Sequence, residues 1–422
     1  TLSLGNKATT LWRIIMIKVN NNEYTSDKAN PVVIICMDGT SFDYYEGARE
    51  VMPNLWRMIE TGTMGIVDSV IPSFTNPNNM AMVTGVSPAE NGICGNFYYD
   101  QDLDDEVMMN EPRYLCADSI LASFSQNGKK VAIVTSKDKL RKMLSHNLNG
   151  ICFSVEFADQ VTLENNGIVN VTDDLMHKVN PGIYDPDNSV YLIEAGVRLL
   201  EKEHFDLMYL TSTDYVQHKN APGSEGANSF LAGIDHWIGE LDKLGAVVAV
   251  TADHGMQSKT NAQGQPNVRF LEDILISEGI QTARVILPIT DPYVVHHGAL
   301  GSYATIYIDD SELKKASTIL KQLDGVEDVL TKEQAAERFE LPKDRIGDLV
   351  ITGDKHTVLG HAADRHDLES VQQGLRSHGG MHEARVPIII NRQLKSEYKQ
   401  RLESGNAKSR EVFDFAINGT ED

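Results

Sequence analysis

The chain has 422 residues, with 38 Lys and Arg against 60 Asp and Glu, a formal charge of -22. So acidic a surface repels polyanions, which excludes nucleic acid as a main partner and leaves an anionic small molecule only where cations, such as bound metals, are concentrated. At 41% hydrophobic residues it can bury a large α/β core with an insertion, and no apolar stretch reaches the roughly 20 residues of a membrane-spanning helix.

Residues 1–31 form an N-terminal segment. Thr1 to Ile15 has no clear period, Met16 to Val19 is strand-like, and Met16 is a candidate natural start. There is no signal-peptide pattern, and the four cysteines, Cys36, Cys94, Cys116 and Cys152, contain no Cys-x-x-Cys pair. Buried free thiols in a cytoplasmic enzyme are expected, and the sequons at Asn170 and Asn418 are then chance patterns.

From Val32 to Met37 a continuous apolar run ends in Asp38-Gly39, the pattern of a strand buried on both faces in a parallel sheet. Thr75 follows in Pro72-Ser73-Phe74-Thr75-Asn76-Pro77-Asn78-Asn79, where Pro77 suits a first helical turn and Ala81 to Val83 continue the helix to Gly85. Val131 to Val134 leads to Lys137, Leu207 to Leu210 to Asp214, and Val247 to Val250 to Asp253; Val386 to Ile390 is a fifth run. Helix-like stretches such as Asn188 to Glu203 lie between them, so the fold expected is α/β, a doubly wound, mostly parallel sheet flanked by helices. Ligands bind such sheets at the carboxyl ends of the strands, and four of these runs end in polar or charged residues.

Residues 266–376 change character, with a strand from Tyr303 to Ile308, an amphipathic helix from Ser311 to Leu323 and a strand from Ile346 to Ile351. This predicts a smaller α+β cap with its own core, inserted into a catalytic core of residues 32–265 and 377–422. His296, His297, His356, His361 and His366 fall in the cap and read as surface or structural residues.

Asp38, Thr75, Asp214, His218, Asp253, His254 and His378 make a plausible two-metal set of three carboxylates, three imidazoles and a hydroxyl. Asp214-x-x-x-His218 puts two ligands on one helical face, and Asp253-His254-Gly255 follows a buried strand. Alone, Thr75 would be an ordinary helix cap; a metal beside it makes it a nucleophile, at a helix start whose N–H groups and dipole favour a phosphoryl group. Lys137 and Lys139, two residues apart and on one side if extended, follow a strand at its carboxyl end and are cations in an acidic protein, suited to an anionic ligand.

Met37-Asp38-Gly39, Phe74-Thr75-Asn76-Pro77, Asp214-x-x-x-His218, Asp253-His254-Gly255 and His378-Gly379-Gly380 resemble the alkaline phosphatase superfamily in order and strand placement. Within it, Pro72 to Asn79, Asn91-Gly92-Ile93-Cys94-Gly95-Asn96 and Thr135-Ser136-Lys137-Asp138-Lys139 resemble the phosphonoacetate hydrolase family. The resemblance implies two Zn2+ ions per chain, one held by Asp214, His218 and His378 and the other by Asp38, Asp253 and His254, with the Thr75 oxygen toward phosphorus. It implies that Asn96 donates to a phosphonate oxygen and that Lys137 and Lys139 bind the substrate carboxylate; His218 and His382 are both candidates for a second role beside the substrate, as proton donor or as hydrogen-bond partner. The reaction implied is hydrolysis of phosphonoacetate to acetate and phosphate through a phosphothreonine. The expected partners are a small anionic phosphonate and, in a possible homodimer, a second copy, with neither nucleic acid nor membrane.

Two rivals stand beside this reading. One is a nucleotide pyrophosphatase/phosphodiesterase or phosphatase of the same superfamily, which Phe97, Tyr98 and Tyr99 near Asn96 could serve by stacking on a base. The other is a non-catalytic, metal-dependent oxyanion-binding protein on the same fold.

Overall fold

The computed structural model describes residues 16–290, 298–372 and 374–421; His296 and His297, like the residues before Met16, lie outside the described residues. A seven-stranded sheet runs in the order Thr63–Asp68, Arg385–Ile390, Val247–Thr251, Val32–Cys36, Leu207–Thr211, Val131–Thr135 and Ile151–Ser154. Its last five strands are mutually parallel, and Arg385–Ile390 is antiparallel to both neighbours.

The continuous apolar runs are explained by burial on two faces. Along Val32–Cys36, Val32, Ile34 and Cys36 join one core while Val33 and Ile35 join the other, as strand alternation requires. The helices Asp187–Lys202 and Glu225–Lys243 cover the second face with Tyr191, Leu192, Phe230, Leu231 and Ile234. Thr75–Thr84 and Val412–Ile417 cover the first.

A four-stranded antiparallel sheet, ordered Arg284–Ile286, Tyr303–Tyr307, Leu349–Gly353 and Val326–Thr331, lies between the Asp253-His254 and His378 segments, with helices Asp310–Leu320 and Lys332–Phe339. The predicted strand at Ile346 to Ile351 is shifted to Leu349–Gly353, and the helix stops at Leu320. Ile306, Leu320 and Val350 of this segment join the cluster that covers one face of the parent sheet, while Leu300, Val358, Val371 and Leu375 form a small cluster of their own within the insertion.

A hairpin of Met16–Val19 and Asn22–Thr25 precedes the sheet. The cysteines are all free, but only Cys36 and Cys94 are buried; Cys152 is partly covered and Cys116 is exposed, so the expectation of buried thiols fails for two of them. No helix among the described residues is long and apolar enough to cross a membrane.

Candidate active site

The parallel strands deliver their following residues to one end of the sheet: Asp38 after Val32–Cys36, Lys137 after Val131–Thr135, Asp214 after Leu207–Thr211, and Asp253-His254 after Val247–Thr251. Arg385–Ile390 runs the other way, so its beginning lies at that end. This explains why His378 precedes its strand while the other ligands follow theirs. Gly39 has φ +67°, and a Cβ there would stand 2.9 Å from Asp214 Cβ, so the turn after Asp38 requires glycine.

Two buried groups of three ligand-type side chains form, Asp214 with His218 and His378, and Asp38 with Asp253 and His254; within each, the ligand atoms lie within 4.8 Å of one another. Asp214 precedes the short helix Tyr215–Lys219, which turns His218 back so that its Nε2 is 2.8 Å from Asp214 Oδ2. His378 Nε2 lies 3.5 Å from the same oxygen, and His254 Nε2 lies 3.2 Å from Asp38 Oδ1. The His254 and His378 rings stack with centroids 3.7 Å apart, which joins the two groups.

Each imidazole is oriented by a backbone carbonyl at its other nitrogen. Nδ1 of His218 is 2.7 Å from the Arg376 oxygen, that of His254 2.8 Å from Gly255, and that of His378 2.8 Å from Ser73. A proton on each Nδ1 leaves each Nε2 as a lone-pair donor, the arrangement found in metal-binding histidines.

The electrostatics point the same way. Burial, then repulsion from Asp214 and Asp253, pushes the Asp38 carboxyl well up, and burial raises Asp253. Burial opposes ionisation of Asp214 as well, yet His218, His378 and Lys137 hold it well below the carboxylate range. Burial also disfavours charge on His254, but Asp253 and Asp38 lift it to about 10; burial and His254 depress His378 to about 3. Asp38 Oδ1 and His254 Nε2 face each other without hydrogen-bond geometry. Three buried carboxylates crowded among three oriented imidazoles fit two divalent cations, which would relieve the repulsion and take up these atoms.

Thr75 opens the helix Thr75–Thr84, as predicted. The expectation of unpaired N–H groups at this helix start is modified: the Asn76 N–H donates to Asn96 Oδ1 at 2.7 Å. Asn96 in turn donates from Nδ2 to the Ile289 carbonyl, which leaves the second hydrogen of its amide for a ligand. Asn79, four residues after Thr75 in the same helix, donates to the Thr75 carbonyl at 3.0 Å and to Asp253 Oδ2 at 3.4 Å. Its own oxygen accepts from Tyr209 and Thr211. This ties the Thr75 helix to a ligand of the second group.

A cavity of about 160 Å³ is lined by Thr75, Asn96, Asp38, Asp214 and His378 together with Lys137 and Lys139. His218, Asp253 and His254 are not among its lining residues. The lysines are not side by side on an extended segment: Lys137 is extended, and Asp138–Leu144 is a helix that carries Lys139 in its first turn. Lys137 Nζ is 3.9 Å from Asp214 Oδ1, whereas Lys139 is exposed at the rim. Phe97, Tyr98 and Tyr99 do not line the cavity; Tyr98 packs on Tyr114 and Tyr99 on Tyr307. Among the cap histidines, His356 is exposed, and His366 is structural, with Nδ1 2.8 Å from the Gly298 carbonyl and Nε2 accepting from the His361 N–H.

Sequence reasoning missed Ser212 and Ser73. The Ser212 Oγ accepts from the Asp38 N–H, and Ser73 orients His378 while its Oγ accepts from Gly379 and donates to Gly380. A serine in a loop carries no signal of such a role.

The family model for type I phosphodiesterase / nucleotide pyrophosphatase matches residues 32–382. Phosphonoacetate hydrolase from Sinorhizobium meliloti 1021, in complex with phosphonoformate and with phosphonoacetate, is 44% identical, covers 96% of this chain and 99% of its own, and superposes with a TM-score of 0.90. Murine ectonucleotide pyrophosphatase/phosphodiesterase 5 shares the fold at 18% identity, with a TM-score of 0.63 over 92% of this chain and 95% of its own. Rat ectonucleotide pyrophosphatase/phosphodiesterase family member 1 is 23% identical over 54% of this chain and 24% of its own length; the chain spans a quarter or less of the curated relatives it matches. Two buried triads and near-complete coverage at 44% identity place the chain: it belongs to the type I phosphodiesterase / nucleotide pyrophosphatase family, within the alkaline phosphatase superfamily, and is a homologue of phosphonoacetate hydrolase.

Proposed function

We propose that the protein hydrolyses the carbon-phosphorus bond of phosphonoacetate, giving acetate and phosphate. The observation that carries this reading is the single small cavity joining Thr75 and the two triads to Lys137 and Lys139. Its volume is below the roughly 300 Å³ at which pockets for drug-sized ligands begin, which suits a phosphonate bearing a short acidic tail better than a nucleotide. Two zinc ions held by the triads would supply the Lewis acidity that lowers the cost of an ionised Thr75 hydroxyl and of charge on the phosphonate oxygens.

The chain's own residues do the rest. Thr75 Oγ attacks phosphorus and the carbon-phosphorus bond breaks, its electron pair delocalising into the neighbouring carboxylate as an enediolate-like anion. Lys137 and Lys139 stabilise that charge, because it develops on the group they bind. The free hydrogen of the Asn96 amide is aimed at a phosphonate oxygen, while Asn96 Oδ1 fixes the start of the Thr75 helix. Protonation at carbon yields acetate; water then cleaves the phosphothreonine, releasing phosphate and restoring Thr75. His218, held by the Arg376 carbonyl, serves its triad with Asp214 and His378.

The test compares turnover of phosphonoacetate, nitrophenyl phosphate and a nitrophenyl nucleotide diester, each with and without zinc. The proposal expects zinc-dependent acetate release with the highest specificity constant for phosphonoacetate. Preference for the diester would favour the nucleotide reading, and zinc binding with no turnover a non-catalytic oxyanion binder.

A further inference from the structure

Lys259 and Glu383 form an ion pair with no solvent exposure at either side chain, Nζ to Oε1 at 2.8 Å. Buried pairs seldom add net stability, because desolvation offsets their attraction, so a pair retained at a site invites a question about what it holds in place. Lys259 follows the Asp253-His254 ligands by a few residues, and Glu383 follows His378.

The pair also reaches the neighbouring loops. Glu383 Oε2 accepts from the Gly380 N–H at 3.0 Å, and the Glu383 carbonyl accepts from the Gly255 N–H at 2.6 Å. Lys259 Nζ also donates to the Lys355 carbonyl of the cap at 3.0 Å. Gly255 is the residue whose carbonyl orients His254, and Gly380 accepts from Ser73 Oγ, whose own carbonyl orients His378. One glutamate therefore grips a ligand loop from each triad, and one lysine fixes that glutamate and ties it to the cap.

We propose that Lys259 and Glu383 are positioning residues for the two-metal centre, setting the register of the His254-Gly255 turn against the His378-Gly380 loop. The inference rests on the triads holding metal and is independent of which substrate is cleaved. Residues that orient ligands from behind typically change metal affinity about 10–100-fold when lost.

Two double variants separate positioning from mere packing. Lys259→Met with Glu383→Gln and Lys259→Met with Glu383→Leu both remove the charge pair together, the change buried pairs tolerate best. Only the glutamine keeps an acceptor for the Gly380 N–H. Zinc affinity is measured by competition with a chelator on the full chain, alongside thermal unfolding of the metal-free protein. The expected result is near wild-type affinity for the glutamine variant and at least tenfold weaker binding for the leucine variant, at matched metal-free stability. Equal zinc affinity in the two would overturn the positioning role, as would a difference that merely tracks metal-free unfolding. Wild-type protein that takes up no zinc would instead overturn the metal reading on which both rest.

Discussion

Replacing Lys137 with alanine should lower kcat/KM for phosphonoacetate about 30-fold while leaving nitrophenyl phosphate hydrolysis within a few-fold. Lys137 Nζ stands 3.9 Å from Asp214 Oδ1 on the wall of the cavity that contains Thr75, so a carboxylate bound there meets it at contact distance. Two unit charges at about 4 Å interact by about 4 kcal/mol at an effective dielectric of about 20. The lysine side chain is 32% exposed, and solvent removes part of that energy. About 2 kcal/mol then remains, the range of a hydrogen bond to a charged group and about 30-fold in rate. The ester carries no carboxylate and therefore controls for damage to Asp214 and its metal. The assay is a pair of specificity constants measured on one preparation. Equal losses on both substrates would mean that Lys137 acts through Asp214 and not on the tail, and no loss on either would remove it from the site. Lys139→Ala should show the same selectivity at smaller size, because its side chain is exposed at the rim.

Thr75→Ala should abolish turnover while retaining zinc, and Thr75→Ser should keep part of it; mass spectrometry of quenched wild-type reactions should show phosphate on Thr75, and a fully active alanine variant would exclude it as nucleophile. Adding zinc to metal-free protein should raise the unfolding temperature, each site contributing about 2.7 kcal/mol at a hundredfold excess over its Kd; no shift would mean that the triads do not bind it. Away from the centre, burial lowers the His361 imidazole to about 4, so the unfolded chain takes up its proton first on acidification. That stability is present above about pH 6.5 and lost as pH falls toward 4, on the order of 2 kcal/mol at pH 5. His361→Leu should flatten the fall in metal-free melting temperature between pH 7 and 5, and an unchanged slope would refute this assignment.

The central strands were legible because a strand buried on both faces must be apolar along its length, as Val32 to Cys36 and Val247 to Val250 are. Their direction was not: Arg385–Ile390 has the same apolar texture, yet it pairs antiparallel with both neighbours, and nothing local encodes that. Edge strands such as Thr63–Asp68 were hidden by mixed composition, as was Val326–Thr331 in the cap. The ligand residues stood out because their types and spacings are constrained by metal chemistry. Asp138 starts a helix, with its backbone N–H on Glu156 and its carboxylate on Arg141, and this turned Lys139 away from the extended geometry expected. Lys259 and Glu383 were invisible, since a lysine and a glutamate in polar stretches read as solvated until two loops close over them.

Titrating metal-free protein with zinc while measuring acetate released from phosphonoacetate tests the central claim most directly. Two triads acting with one nucleophile predict acetate and phosphate in equal amounts, with activity rising to a plateau at two zinc ions per chain. A plateau at one zinc, or zinc-saturated protein that hydrolyses nitrophenyl phosphate but releases no acetate, would contradict it.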